Sequence, residues 1–128
     1  MRKTTILVIG SSSFSRIVGH LFRGRSEFEV VGALSSVGCL GLPGGKLLPE
    51  LIVVNVKPIS TGIRCMVAAI KQARPSAKVI LSCPLEDLAR MARKHGADAC
   101  LKDEDLAGRL LRMARALSDR PKVVNAGD

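Results

Sequence analysis

Gly10, Ser11, Ser12 and Ser13 follow an apolar run and precede a helical pattern. A strand-to-helix turn of this kind can hold an anion, because the first amides of a helix lack intrahelical partners and lie at its positive end. The segment has neither the G-x-G-x-x-G spacing of a dinucleotide site nor the lysine of a P-loop, so a serine-capped helix accounts for it as well. Nucleophilic chemistry has less to work with. His20 falls within one helical pattern and His95 at the end of another, and neither joins a Ser/His/Asp or Cys/His set. Cys39, Cys65, Cys83 and Cys100 form no C-x-x-C pair and have no histidine at metal-ligand spacing. Each lies among apolar residues, as small buried thiols do in a reducing cytoplasm. Arg109, Arg112 and Arg115 recur at every third position of the last helical pattern. They form a basic stripe that suits an acidic protein, nucleic acid or plain solvent. These residues predict no enzyme activity, no metal and no cofactor.

The wider composition sets the same bounds. With 20 Lys and Arg against 11 Asp and Glu the net charge is +9, which permits nucleic acid, acidic lipid or an acidic protein as partner. The basic residues are spread along the chain in runs no longer than two, and three Phe with no Tyr or Trp leave no stacking platform for single-stranded nucleic acid. The apolar run after Arg2 and Lys3 stops at Gly10, too short for a signal peptide, and no segment has the length of a membrane span.

The elements that must position any site alternate between strand and helix. Ile6 to Ile9, Val30 to Leu34, Leu51 to Val54, Val79 to Leu81 and Ala99 to Leu101 read as strands. Between and after them, residues 11–23, 61–74, 84–95 and 104–117 are helical by period. In the first of these Phe14, Ile17, Val18, Leu21 and Phe22 form the apolar stripe, with a serine cap at its start and Gly24 at its end. Ile63, Val67 and Ile70 mark the second, Leu85, Leu88, Ala89 and Ala92 the third, and Leu106, Leu110, Met113, Ala114 and Leu117 the fourth. Asp103 is placed to cap the fourth. Continuously apolar strands alternating with helices imply a parallel sheet covered on both faces, a three-layer α/β domain of five strands. One segment breaks the rhythm. Residues 35–46 carry Gly38, Gly41, Gly44, Gly45 and Pro43, which disfavour a helix by about 7 kcal/mol relative to alanine. A loop or a single turn is expected there. One domain over residues 1–118 and a flexible tail over 119–128 complete the organisation.

The ordered set of segments resembles the receiver domain of bacterial response regulators. The likeness lies in ILVIGSSSFSRIV (6–18), FEVVGA (28–33), PELIVVNV (49–56), VILS (79–82) and GADACLK (96–102). It implies a flavodoxin-like strand order 2-1-3-4-5, here with the second helix degraded. It also implies what should stand at the phosphorylation site. Two acidic Mg²⁺ ligands belong where Gly10 and Ser11 stand, and the phosphate-accepting carboxylate where Asn55 stands. An amide cannot form the acyl phosphate, and Mg²⁺ prefers anionic oxygen ligands. The hydroxyl that contacts the phosphoryl group corresponds to Ser82, with Cys83 as the alternative, and the family's lysine to Lys102, one residue early relative to Gly96. The loop after Asn55 is about one residue short, and Cys100 replaces the switch aromatic on the fifth strand.

A degenerate receiver is therefore expected, with Gly10, Ser11, Asn55, Ser82 and Lys102 as a vestigial site. Its function would be phosphorylation-independent signalling by protein contact, in a two-component phosphorelay context, with another signalling protein or a second copy as partner. The usual interaction face would comprise Leu85, Leu88, Arg93, Cys100, Arg109 and Arg112. The alternatives are a small-molecule or nucleotide sensor, with Ser11, Asn55, Ser82 and Lys102 holding an anion in the crevice at the end of the sheet, and a basic nucleic-acid-binding module. Asn55 bonding Lys102 or a backbone group would close the vestigial site.

Overall fold

A computed structural model describes residues 3–35, 49–56, 63–84, 90, 94 and 96–118. Five strands, β1 (Thr4–Ile9), β2 (Phe28–Leu34), β3 (Leu51–Asn55), β4 (Lys78–Cys83) and β5 (Ala99–Lys102), form one parallel sheet in the order β2-β1-β3-β4-β5. This is the flavodoxin-like order, with the chain reversing its direction of travel beside β1.

Alternation of side chains along each strand divides the core into two layers. Leu7, Ile9, Ile52, Val54, Val79 and Leu81 face α2 (Ile63–Ala73), which contributes Val67 and Ile70. Ile6, Val8, Leu51, Val53 and Ile80 face α1 (Ser12–Phe22) and α3 (Leu106–Ser118) on the other side. Those helices supply Phe14, Val18, Phe22, Leu106, Leu110 and Ala114. Each Leu or Ile so buried contributes about 1.5–3 kcal/mol, so the apolar runs that mark the strands in sequence are also what holds the layers together.

Local chemistry ends the elements. The Ser11 hydroxyl accepts from the Phe14 amide at 3.2 Å and caps α1, and Gly24 follows its end at φ +77°, a left-handed conformation that suits glycine. Asp98 ties three elements together. Its Oδ2 accepts from the Val79 amide at 2.7 Å and pairs with Lys71 Nζ at 2.6 Å, fastening the start of β5 to β4 and α2.

Three expectations need correction. Ile17 is 48% exposed rather than inward, because at about 100° per residue it lies roughly 100° around α1 from Val18, the middle of the buried stripe. Cys65 is exposed on α2, while Cys83 is buried and Cys100 half-buried, all three as free thiols. Asp103 does not cap α3. It opens a 3-10 turn (Asp103–Asp105) that leads into the helix, with Lys102 in the cap position making no side-chain cap bond. His20 is exposed on α1. The expected third helix falls almost wholly outside the described residues, and so do the glycine-rich segment beyond Ser35, Cys39, His95 and the tail. Among the described residues no helix is long and apolar enough to cross a membrane.

Candidate functional site at the carboxyl end of the sheet

Parallel strands deliver their carboxyl ends to one edge, so Gly10, Asn55, Ser82 and Lys102 leave β1, β3, β4 and β5 on the same side of the molecule. Register fixes the pairing in the middle: Asn55 lies opposite Ser82, while Cys83 lies opposite Lys102. Ser82, not Cys83, is thus the hydroxyl position beside Asn55. It is completely buried.

The centre of the site is a carboxylate that the sequence reading assigned elsewhere. Asp103 Oδ1 accepts a hydrogen bond from Ser82 Oγ at 2.6 Å and another from Asn55 Nδ2 at 3.2 Å. The Asn55 amide also donates to the Ser82 carbonyl at 3.4 Å, and that carbonyl accepts the Val56 amide at 2.8 Å. The hydroxyl bond has the length of a charge-assisted O–H···O⁻ contact rather than a neutral one. Of the two closures expected for Asn55, the backbone bond forms, and the side-chain partner is Asp103 in place of Lys102. Lys102 pairs instead with Glu104 Oε2 at 3.4 Å.

Gly10 is held by close packing. A Cβ there would lie 2.8 Å from Phe14 Cδ2 and 3.2 Å from Asn55 Cβ. The place an acidic side chain would need is filled by the Phe14 ring, itself buried on the first turn of α1. Ser11, expected in the anion set, is turned to its capping role. Of that set the structure brings together Asn55 and Ser82, with Gly10 against Asn55; Ser11 and Lys102 are engaged elsewhere.

The divalent cation that the resemblance implies does not fit these residues. The nearby carboxylate oxygen already accepts two protein hydrogen bonds, and a carboxylate at position 10 would collide with an aromatic ring. Burial pushes the neighbouring Cys83 thiol up to about 12, with the Cys100 and Asp103 charges adding to the effect, so Cys83 is no nucleophile at neutral pH. Beside Gly10, an open depression of about 450 Å³ is lined by Ser12, Ser15, Arg16, Leu34 and Ser35, among others.

On the proposed interaction face, Arg109 and Arg112 are exposed and Cys100 is half-buried against the α2-side core; Leu85, Leu88 and Arg93 lie outside the described residues. Arg115 departs from the stripe by pairing with Glu27 through two bonds of 2.9 and 3.1 Å, joining the end of α3 to the turn before β2. Sequence reasoning missed Asp103 as a site residue. Its signal was its place: directly after Lys102, at the carboxyl end of a strand.

Solved structures similar to this chain carry the same arrangement of elements. Across 93% of this chain, the RcsB response regulator of Salmonella typhimurium superposes with a TM-score of 0.78 at 13% identity. The fold is the receiver fold. The response regulator domain of Thermotoga maritima CheB matches over 92% of this chain and 98% of its own, with TM-score 0.75 and 18% identity. A LuxR-family two-component response regulator from an Aurantimonas species matches over 92% and 87%, with TM-score 0.74 and 18% identity. The chain spans 61% of the RcsB chain it matches. No protein-family model matches the sequence, and no curated protein does.

Proposed function

We propose that this chain is a phosphorylation-independent receiver-like signalling module that works by protein contact in a two-component context and catalyses no reaction. One observation carries the reading. At the place of the phosphate acceptor stands Asn55, whose amide is engaged by Asp103 and the Ser82 carbonyl. Neither the nucleophile nor the metal-binding oxygens of a phosphorylation site are available there. The receiver fold of the similar structures supports the signalling context. The exposed Arg109 and Arg112 support an acidic partner surface, and the free thiols of Cys65, Cys83 and Cys100 are consistent with the cytoplasm.

The test is exposure to a phosphoryl donor. Acetyl phosphate or beryllofluoride with Mg²⁺ should leave the mass and the amide NMR spectrum of the chain unchanged, and Asn55→Asp alone should not restore Mg²⁺ binding. A stoichiometric phosphate adduct, or shifts across the site at sub-millimolar donor, overturns the reading.

A further inference from the structure

We propose that Asp103 is a built-in anion, seated in a carboxylate-binding site that the Ser82 hydroxyl and the Asn55 amide form at the end of the sheet. The inference rests on the reading that the site is not used for phosphorylation and says what occupies it.

Two donors from two different strands converge on a single oxygen, Asp103 Oδ1. One of them, Ser82 Oγ, is completely buried and makes the shorter bond, 2.6 Å. The Ser82 hydroxyl therefore needs an acceptor oxygen at this point, and an ionised one makes the stronger bond. The other donor, the Asn55 amide, is fixed by its place on β3 and by its second bond to the Ser82 carbonyl. Neither needs to move when the acceptor changes. Asp103 reaches them from the 3-10 turn after β5, and its residue as a whole is exposed. The carboxylate therefore enters the site from the solvent side, and removing it leaves an opening rather than a sealed void.

The same geometry explains two other observations. Asp103 Oδ1 accepts from Ser82 and Asn55 at the strand ends rather than from the helix amides that a cap would take. A neutral amide at position 55 is also what the arrangement needs, since a second carboxylate there would face Asp103 Oδ1 across 3.2 Å and repel it. The site recognises a small planar carboxylate by hydroxyl and amide donors, and in this chain the ligand is a side chain.

Chemical rescue tests this. Asp103→Ala removes the carboxylate and keeps the Cβ, leaving room for formate and less room for acetate. In that variant formate should raise the melting temperature above the effect of chloride at equal ionic strength, as a ligand of the folded state does. It should also return the Asn55 side-chain amide and Ser82 amide resonances toward their wild-type positions. Half-saturation in the millimolar range or weaker is expected for so small a ligand. Acetate should act more weakly, and the wild type should respond to neither. Because formate-dependent melting reports even on a barely folded variant, Asp103→Ala remains informative if it is unstable. Asp103→Asn, which keeps the side-chain volume, provides a second background in which both resonances should leave their wild-type positions. An Asp103→Ala variant that responds to formate no more than to chloride, or an Asp103→Asn variant with wild-type resonances, overturns the proposal. Phosphoryl donors are tested on the wild type, so failure there and failure here are distinct results.

Discussion

Gly10 and Phe14 should be energetically coupled, and the size of the coupling follows from one distance. Among the described glycines only Gly24 and Gly96 have positive φ, so the backbone at Gly10 would accept any residue. Steric room alone excludes one. An added Cβ would sit 2.8 Å from Phe14 Cδ2, well inside ordinary carbon–carbon contact, with Asn55 Cβ at 3.2 Å on another side. Phe14 is 6% exposed and belongs to the same buried layer as Val8, Val18 and Leu101, so its ring has little room to swing away. Gly10→Ala should then cost about 1–3 kcal/mol by overpacking. Phe14→Leu should cost about 1–2 kcal/mol by lost burial. In the Phe14→Leu background, however, Gly10→Ala should cost little, which gives a favourable coupling of about 1–2 kcal/mol. Equilibrium urea unfolding of the four proteins measures it, provided the slope with denaturant is shared. Additivity within about 0.5 kcal/mol would refute the reasoning, since distant or non-touching pairs behave that way. The consequence reaches the chemistry of the site: restoring an acidic residue at position 10 requires relieving Phe14 as well.

Two further outcomes follow from the titrating groups. Glu27 is held below the usual carboxylate range mainly by its hydrogen bond to Arg115, whose own value is raised by the same contact. The stability this adds is present above the unfolded-state Glu value of 4.5 and is lost as pH falls through the lowered folded value, so Arg115→Ala should flatten the slope of urea midpoints on the acid side of that value, and high salt should shrink the difference because the pair is exposed. For Cys83 the sign is opposite. Its buried thiol is raised to about 12, so the stability it adds is present below the unfolded value of 9.0 and is lost as pH climbs toward 12. At pH 8 a thiol reagent should label Cys65 in the native protein and reach Cys83 only on unfolding, by peptide mass mapping; labelling of native Cys83 at a comparable rate would contradict its burial.

The layers were legible in the sequence because burial on both faces of a sheet leaves a local mark. Ile6 to Ile9 and Leu51 to Val54 are apolar at every position, and only strands covered on both sides are built that way. Helix ends were legible for a similar reason, since Ser11 and Gly24 act within one turn of where they stand. Ile17 was misplaced because a stripe in sequence has no edges, and the width of the buried strip depends on what α1 packs against. Strand order came from the likeness of the whole set of segments rather than from any one of them.

The site divides along the same line. What is missing from it can be read residue by residue: Gly10, Ser11 and Asn55 are plainly not three carboxylates. What replaces them cannot, because each replacement is ordinary in its own segment. Phe14 looks like one member of an apolar helical stripe, and Asp103 looks like a helix cap. Only when the strand ends are brought together does the ring fill the space beside Gly10 and the carboxylate take the Ser82 hydroxyl. A site that only lacked acidic residues would present an open, donor-lined crevice and could accept them by substitution. Here the space and the hydrogen-bond donors are both taken, from α1 on one side and the turn after β5 on the other. The absence of carboxylates at positions 10, 11 and 55 and the occupation of the space between the strand ends are thus separate features of the chain, and Asn55→Asp alone would add a charge facing Asp103 without moving Phe14 or Asp103.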